Sequence, residues 1–247
     1  MEKSIFQKVH ELQKNGWWFG NARNKLVGEL LEKYIPDYKN KKALDVGCSE
    51  GAFLDYMSDK QVDVKAIDID NNAIEFCKER GYGDQVRYGS LLDIPYKDET
   101  FDIVFLLDII EHVQDDYKAI SEVNRVLGPK GSAILIVPAY QWLWSNNDVA
   151  YHHKRRYSIS LVKKLVKSKD FKLTFISFFN SLLFPVFVIF TMIAKFSRRS
   201  SNSTVVKPVP KSVNFLLIKL MQFERWLIVN TGIKLPFGSS IILLVTK

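Results

Sequence analysis

The sequence predicts an α/β fold: a Rossmann-like, seven-stranded, mostly parallel sheet with helices on both faces and a helical insertion before the last strand. Three observations predict it. Short apolar runs alternate with segments of helical period, joined by two to six residues, as in an open parallel sheet. The first apolar run stops at a glycine turn that opens a helix. A basic, apolar stretch, 179–238, then separates the sixth run from the seventh.

Taken in order, Leu26, Val27, Leu30, Leu31 and Tyr34 recur at helical spacing, and Pro36 ends that helix. Residues 43–47 (ALDVG) form a buried-strand run, followed by a helix from Ala52 to about Lys60. A second strand at 64–68, a helix at 72–80 and a short strand near 86–88 come next. Then follow a strand at 101–107, a helix at 117–127 and a strand at 133–137. Beyond Pro138 a polar, aromatic loop leads to a helix at 160–168 and a strand at 171–178; the last strand is 241–246. Ligands bind such sheets beyond the carboxyl ends of the strands, where strand order reverses.

Composition excludes several classes. With 47% apolar residues, 13% aromatics, 12 Gly and 8 Pro, collagen-like, mucin-like and wholly disordered chains are ruled out. Two cysteines, Cys48 and Cys77, cannot build a disulfide framework, so a reducing, cytoplasmic setting is expected. The opening MEKSIFQKVHELQKNGWWFG has no apolar core of the signal-peptide kind, and none is expected. The net charge of +8 is unevenly placed. Residues 1–150 carry 18 Lys/Arg against 25 Asp/Glu, whereas 151–247 carry 17 against 2. The basic part is expected to seek anions such as lipid headgroups, a phosphorylated substrate or nucleic acid.

The turn Asp45-Val46-Gly47-Cys48-Ser49-Glu50-Gly51 places glycine where a backbone must approach a ligand. Asp68 ends the next strand, where a carboxylate can accept from two ribose hydroxyls; Asp70 suits a helix cap better. ALDVGCSEG (43–51), AIDID (66–70), LLDIPYKDETFDIVFLLDIIEHV (91–113) and NRVLGPKGSAILIVP (124–138) together resemble the class I S-adenosylmethionine-dependent methyltransferases, of the type 11/12 kind. The resemblance covers about residues 40–178. It implies that Asp45 and the Gly47–Gly51 backbone, with Cys48 and Ser49, face the methionine part of the cofactor. By the same resemblance Asp68 and Ile69 meet the ribose side, Ser90, Leu91 and Leu92 lie along the adenine, and Leu107 borders the pocket. Two positions depart from the pattern: Ser49 stands for the usual middle glycine, and Ser90 for an acid that often accepts from the adenine amino group. A dinucleotide reductase would show GxGxxG, which Ser49 breaks.

Asp108, Glu111 and His112 follow the fourth strand at i, i+3 and i+4, so one helical turn brings them to one face. Two carboxylates beside an imidazole can bind a divalent ion that acidifies a hydroxyl, or His112 can act as a metal-free general base. The acid-x-x-Glu-His arrangement looks like that of two metal-using branches, the quinone-biosynthesis O-methyltransferases and the small-RNA 3′-end 2′-O-methyltransferases. The second adds a histidine after the fifth strand, and His153 stands in a comparable place, which gives Asp108, Glu111, His112 and His153 as metal candidates. In many relatives, however, Glu-His only lines the pocket and braces the helix.

His152-His153-Lys154-Arg155-Arg156-Tyr157-Ser158 is the densest basic cluster, with Trp142 and Trp144 upstream. Arginine's planar fork suits phosphate, so His153, Arg155, Arg156, Tyr157 and Trp144 are expected to bind the acceptor's anionic group, unless the run is only a solvated loop. Trp18, in Trp17-Trp18-Phe19, and Arg23 either form a lid over the site or pack between helices.

Residues 173–194 carry no charge, yet LTFISF is needed as a strand and Asn180, Ser181 and Pro185 interrupt the rest. The remaining helix, 182–196, is roughly 22 Å long, short of the ~30 Å hydrocarbon core. With a second helix at 213–230 and a connector, SRRSSNSTVVKPVPKS, between them, it reads either as an interfacial hairpin on anionic lipid or as a pair packed on protein. The WWF, HxRRYS and PFGSS elements look like those of bacterial methyltransferases from glycan and lipid-glycan gene neighbourhoods.

The expected organisation is an N-terminal cap (1–40), a cofactor-binding domain (41–178 and 239–247) and a basic hairpin (179–238). The expected function is S-adenosylmethionine-dependent O-methylation of a lipid-linked or amphipathic acceptor, such as a polyprenyl-phosphate sugar, glycolipid or quinone precursor, on the inner face of the cell membrane. An RNA 2′-O-methyltransferase and a non-catalytic cofactor-binding scaffold are the alternatives. Nucleic acid is the weaker partner, because the basic part is apolar rather than rich in base-reading groups. DNA-base methylation is disfavoured, since LDII (107–110) lacks an Asn/Asp-Pro-Pro-aromatic turn.

Overall fold

The computed structural model describes residues 3–196 and 209–247. Most of the expected connector, with Arg198 and Arg199, lies outside the described residues. The chain opens with two helices, α1 (Lys3–Lys14) and α2 (Trp18–Tyr34). The first falls within the expected N-terminal cap, and the second extends the expected helix back to the tryptophans. Then come β1 (Ala43–Val46), α3 (Ala52–Asp59), β2 (Val64–Asp68), α4 (Asn71–Cys77) and β3 (Val86–Tyr88). Asp70 caps α4 by accepting from the Asn72 amide at 2.9 Å. This helix ends earlier than expected and loosens into a wide turn, Lys78–Tyr82, where Gly81 takes φ 94°.

The chain continues through β4 (Phe101–Leu107), α5 (Asp116–Val126), β5 (Leu127–Pro138), α6 (Asn146–Ala150) and α7 (Ile159–Lys167). β5 starts six residues earlier than its apolar run because Leu127 already pairs with Phe101; the register shifts before Ser132 pairs with Ile103. β6 (Lys172–Phe179), α8 (Phe184–Phe196), α9 (Lys211–Trp226) and β7 (Ser240–Thr246) complete it. The sheet order is β3-β2-β1-β4-β5-β7-β6, with β7 antiparallel to both neighbours and the other pairings parallel. Strand order reverses between β1 and β4, which sets the cleft at their carboxyl ends.

Both sheet faces are covered, which is why β1, β4 and β5 read as nearly unbroken apolar runs. On one face Leu26, Leu30, Phe53 and Met57 pack with Phe105 and Ile134. On the other Ile120, Val123, Val162 and Leu165 pack with Leu44, Val104 and Leu135. The insertion is fastened to the first layer. Met221 and Ile228 enter that core, and Asn214 bridges α9 to the start of α2, donating to Gly16 O at 3.0 Å and accepting from the Trp18 amide at 3.2 Å. Arg225 pairs with Glu29 at 3.2 Å. Glu224, the insertion's one acid, is fully buried and accepts from the Ser181 and Leu182 amides at 3.1 and 2.9 Å. α9 thus packs on protein.

α8 differs. Leu182, Val186, Ile189, Phe190 and Ile193 are exposed, Phe190 at 68%, and their spacing puts them on one outward stripe. Phe215, Leu216, Phe223 and Trp226 of α9 are exposed as well. Among the described residues no helix is long and apolar enough to cross a membrane.

Candidate active site

The turn after β1 is wound through the left-handed region: Gly47 has φ 84°, Ser49 φ 49° and Gly51 φ 75°. Gly47 is needed twice over, since a Cβ there would stand 2.6 Å from Ile109 Cδ1. Ser49 accepts a conformation that a glycine would take more readily, and its amide is used. It donates to Asp68 Oδ2 at 2.9 Å, while the Asp70 amide donates to Oδ1 at 2.9 Å. Asp68 is thereby aimed at the mouth of the turn, each oxygen keeping acceptor capacity for a ligand hydroxyl. Cys48 and Cys77 are buried free thiols behind the turn, with Cys77 donating to Ser49 O at 3.5 Å.

Along the neighbouring strand ends, Ile69 is 64% exposed, an apolar platform beside Asp68. Ser90 Oγ accepts from the Leu92 amide at 3.1 Å, so its hydroxyl shapes the loop that carries Leu91 and Leu92. Leu91 and Leu107 are buried, and Leu92 is half-buried. An acceptor-only carboxylate, an exposed aliphatic face and a backbone turn open to a ligand suit the ribose, adenine and methionine parts of S-adenosylmethionine.

Behind the turn lies a cluster of acids that faces Arg23. Asp45 is buried, and burial with the nearby Asp68 and Glu50 carboxylates pushes it up to about 7 against the pull of Arg23. Arg23 reaches from α2 to place Nη1 3.0 Å from Asp108 Oδ2. The same guanidinium pulls against the raised Glu111 carboxyl. Asp108 itself has φ 57° where β4 leaves the sheet.

A tight turn, Ile110–His112, follows. Glu111 is 1% exposed, and burial together with the Asp108 carboxylate holds it well above the usual carboxylate range. Its Oε2 has no hydrogen-bond partner among the described residues. The His112 and His153 rings meet edge to face at 4.7 Å, and one ligand atom each from Glu111, His112 and His153 lies within 4.8 Å of the others. Burial and His153 lower His112 to about 4, so at neutral pH it is an uncharged imidazole and a weak base. Of the four expected metal candidates, three converge. Asp108 lies outside that group and pairs with Arg23 instead.

Contrary to expectation, the basic loop turns Arg156 and Tyr157 inward. Arg156 is buried and its fork is closed on Asp148, with Nε–Oδ1 2.8 Å and Nη2–Oδ2 2.9 Å. Arg155 pairs with Asp116 at 2.8 Å and donates to the Gln114 carbonyl. Tyr157 is fully buried, its hydroxyl 3.1 Å from Asp116. These residues brace the loop from inside and do not present an anion site. Asp148, which received no role from the sequence, is the anchor. It is fully buried, caps α6 through Ser145 and also takes His153 Nδ1 at 2.9 Å. The Ser-x-x-Asp spacing at 145–148 is a legible capping signal. Trp18 packs against the first-face core, and its backbone amide donates to Asn214 at the start of α9, an arrangement of the helix-packing kind. Trp144 is half-buried at the end of the turn Gln141–Leu143.

A sheet of this order, with a glycine turn and an acid on successive central strands, defines the class I methyltransferase fold. Residues 44–135 match the family described as Methyltransferase domain. Over that stretch the chain is similar to S-adenosylmethionine-dependent methyltransferases. It is 32% identical to norajmaline N-methyltransferase of Rauvolfia serpentina over 43% of this chain and 39% of that protein. A probable S-adenosylmethionine-dependent methyltransferase of Mycolicibacterium smegmatis is 25% identical over 65% of this chain and 62% of that one. The chain thus spans less than two thirds of the length of these curated relatives. The crystal structure of a putative sarcosine dimethylglycine methyltransferase from Galdieria sulphuraria superposes with a TM-score of 0.59 at 19% identity, covering 92% of this chain and 85% of that one, and shares the fold.

Proposed function

We propose that the whole protein transfers the methyl group of S-adenosylmethionine to an oxygen of a lipid-linked or amphipathic acceptor at the inner surface of a membrane. Asp45, Gly47, Cys48, Ser49, Gly51, Asp68, Ile69, Ser90, Leu91, Leu92 and Leu107 hold the cofactor in this reading. The acceptor oxygen attacks the methyl carbon, the carbon–sulfur bond breaks, the thioether leaves and the hydroxyl proton passes to the His112 imidazole. Residues 1–40 act as a cap, 41–178 with 239–247 as the cofactor domain, and 179–238 as an insertion that meets the membrane through α8.

The observation that supports this acceptor class is a continuous aromatic surface. Tyr140, in the loop after β5, lies 5.5 Å from Phe184 at the start of α8 and 5.7 Å from Trp142; Phe184 lies 5.7 Å from Phe237. It leads from the acceptor side of the sheet to the exposed stripe of α8. Lys211, Lys219 and Lys234 are exposed nearby in sequence, and each cation close to an anionic surface contributes about 1 kcal/mol. The inward arginines remove the main support for an RNA acceptor. The test is mass spectrometry of membrane and soluble extracts incubated with the protein and isotopically labelled cofactor. A labelled amphipathic product is expected; label only in RNA, or only on nitrogen, overturns the reading.

A further inference from the structure

We propose that Glu111, His112 and His153 form a binding site for one divalent transition-metal ion of the zinc type, beside the cofactor pocket. Three features carry it. Their ligand atoms lie within 4.8 Å of one another, and the buried Glu111 Oε2 has no hydrogen-bond partner among the described residues. A buried, unpartnered carboxylate oxygen is costly, and a cation supplies what it lacks.

The third feature is how the two imidazoles are held. His153 gives Nδ1 to the Asp148 carboxylate at 2.9 Å, and His112 makes a hydrogen bond to the Tyr151 backbone. Metal-bound histidines almost always have the other ring nitrogen tied to a carboxylate or a carbonyl, which fixes the tautomer and aims the free nitrogen. Here both kinds of tie occur on two rings that touch at 4.7 Å. Asp148 is itself locked by Arg156, so the aim of His153 is set by a buried ion pair. Bonds of about 2.1 Å at tetrahedral angles set ligand atoms roughly 3.4 Å apart, so from separations of up to 4.8 Å the side chains close by at most about 1.4 Å.

Two imidazoles and a carboxylate suit borderline ions rather than magnesium or calcium, and three protein ligands leave a position open. An ion there lowers the pKa of a bound hydroxyl. That use rests on the methyl-transfer reading; the binding itself does not.

The experiment takes untagged full-length protein, stripped with a chelator, and titrates it with Zn2+ against a chromophoric competitor and with Co2+ by visible absorption. One equivalent and ligand-field bands are expected. His153→Ala and Glu111→Gln should each weaken Zn2+ binding at least tenfold, and Asp148→Asn by about 10–100-fold. Calorimetry with S-adenosylmethionine on every variant shows that the fold and the cofactor site persist. Absence of Zn2+ and Co2+ binding by the wild type, or equal binding by the His153 and Glu111 variants, overturns the metal site while leaving the cofactor reading standing. Loss of cofactor heat with metal binding retained does the reverse.

Discussion

Arg23 and Asp108 meet at 3.0 Å, although one lies on the second helix and the other at the exit of the fourth strand. That pair ties the N-terminal layer to the mouth of the cleft. It also sets one guanidinium where it opposes the upward shifts of Asp45 and Glu111.

Asp45 stands at about 7, above its ordinary value of 3.8. A raised acid stabilises the fold fully below its unfolded pKa, and that contribution is lost as pH rises through the folded pKa. The cofactor-free protein should therefore lose thermal stability between about pH 4 and 7 from this group, and Asp45→Asn should flatten that limb. Arg23→Gln, which removes the opposing charge, should move the midpoint upward. A scan of melting temperature against pH checks both, and an unmoved midpoint in Arg23→Gln would show that the two groups are uncoupled.

His112 shifts the other way, to about 4 from 6.5. The unfolded chain binds the proton more readily, so stability from this residue is complete above about pH 6.5 and is lost toward pH 4. His112→Gln should melt less steeply with acid than the wild type over that window, in denaturant titrations at matched ionic strength.

Asp68→Ala should weaken S-adenosylmethionine binding at least tenfold in calorimetry. Because Asp68 also accepts from the Ser49 and Asp70 amides, Asp68→Asn is the companion variant that keeps part of the turn. Unchanged affinity in both would place the ribose elsewhere.

Asp148→Asn should destabilise the fold by about 3–5 kcal/mol, because it leaves the buried Arg156 without its counter-charge. Chemical denaturation measures this. A loss under about 1 kcal/mol would mean that Arg156 finds water or another partner.

Ile189→Glu with Phe190→Glu should abolish pelleting with anionic vesicles at unchanged melting temperature, since both side chains are exposed. Removing 182–230 outright is a poorer test. Met221, Glu224 and Ile228 are fully buried, so that deletion opens the core. Full pelleting by the double variant would move the membrane contact off α8.

The sheet was legible in the sequence because its central strands are buried on both faces and so are written as apolar runs ending in Gly47, Asp68 and Asp108. The bend after β1 was legible for a local reason as well: its glycines and Asp68 act through backbone conformations and nearby amides. The roles of Arg155, Arg156 and Tyr157 were not legible. A cluster of basic residues reads as a surface, and only the fold brings Asp116 and Asp148 under it. The same holds for Trp18, whose partner Asn214 is 196 residues away.

What the chain determined by itself is therefore what periodicity and turn chemistry encode: strands, helices and the bend after β1. The pairing of charges was decided only by the tertiary structure. Whether Arg23 meets an acid of its own chain, or Glu111 is left with an empty oxygen, depends on contacts between segments that approach one another only once the sheet has closed its layers.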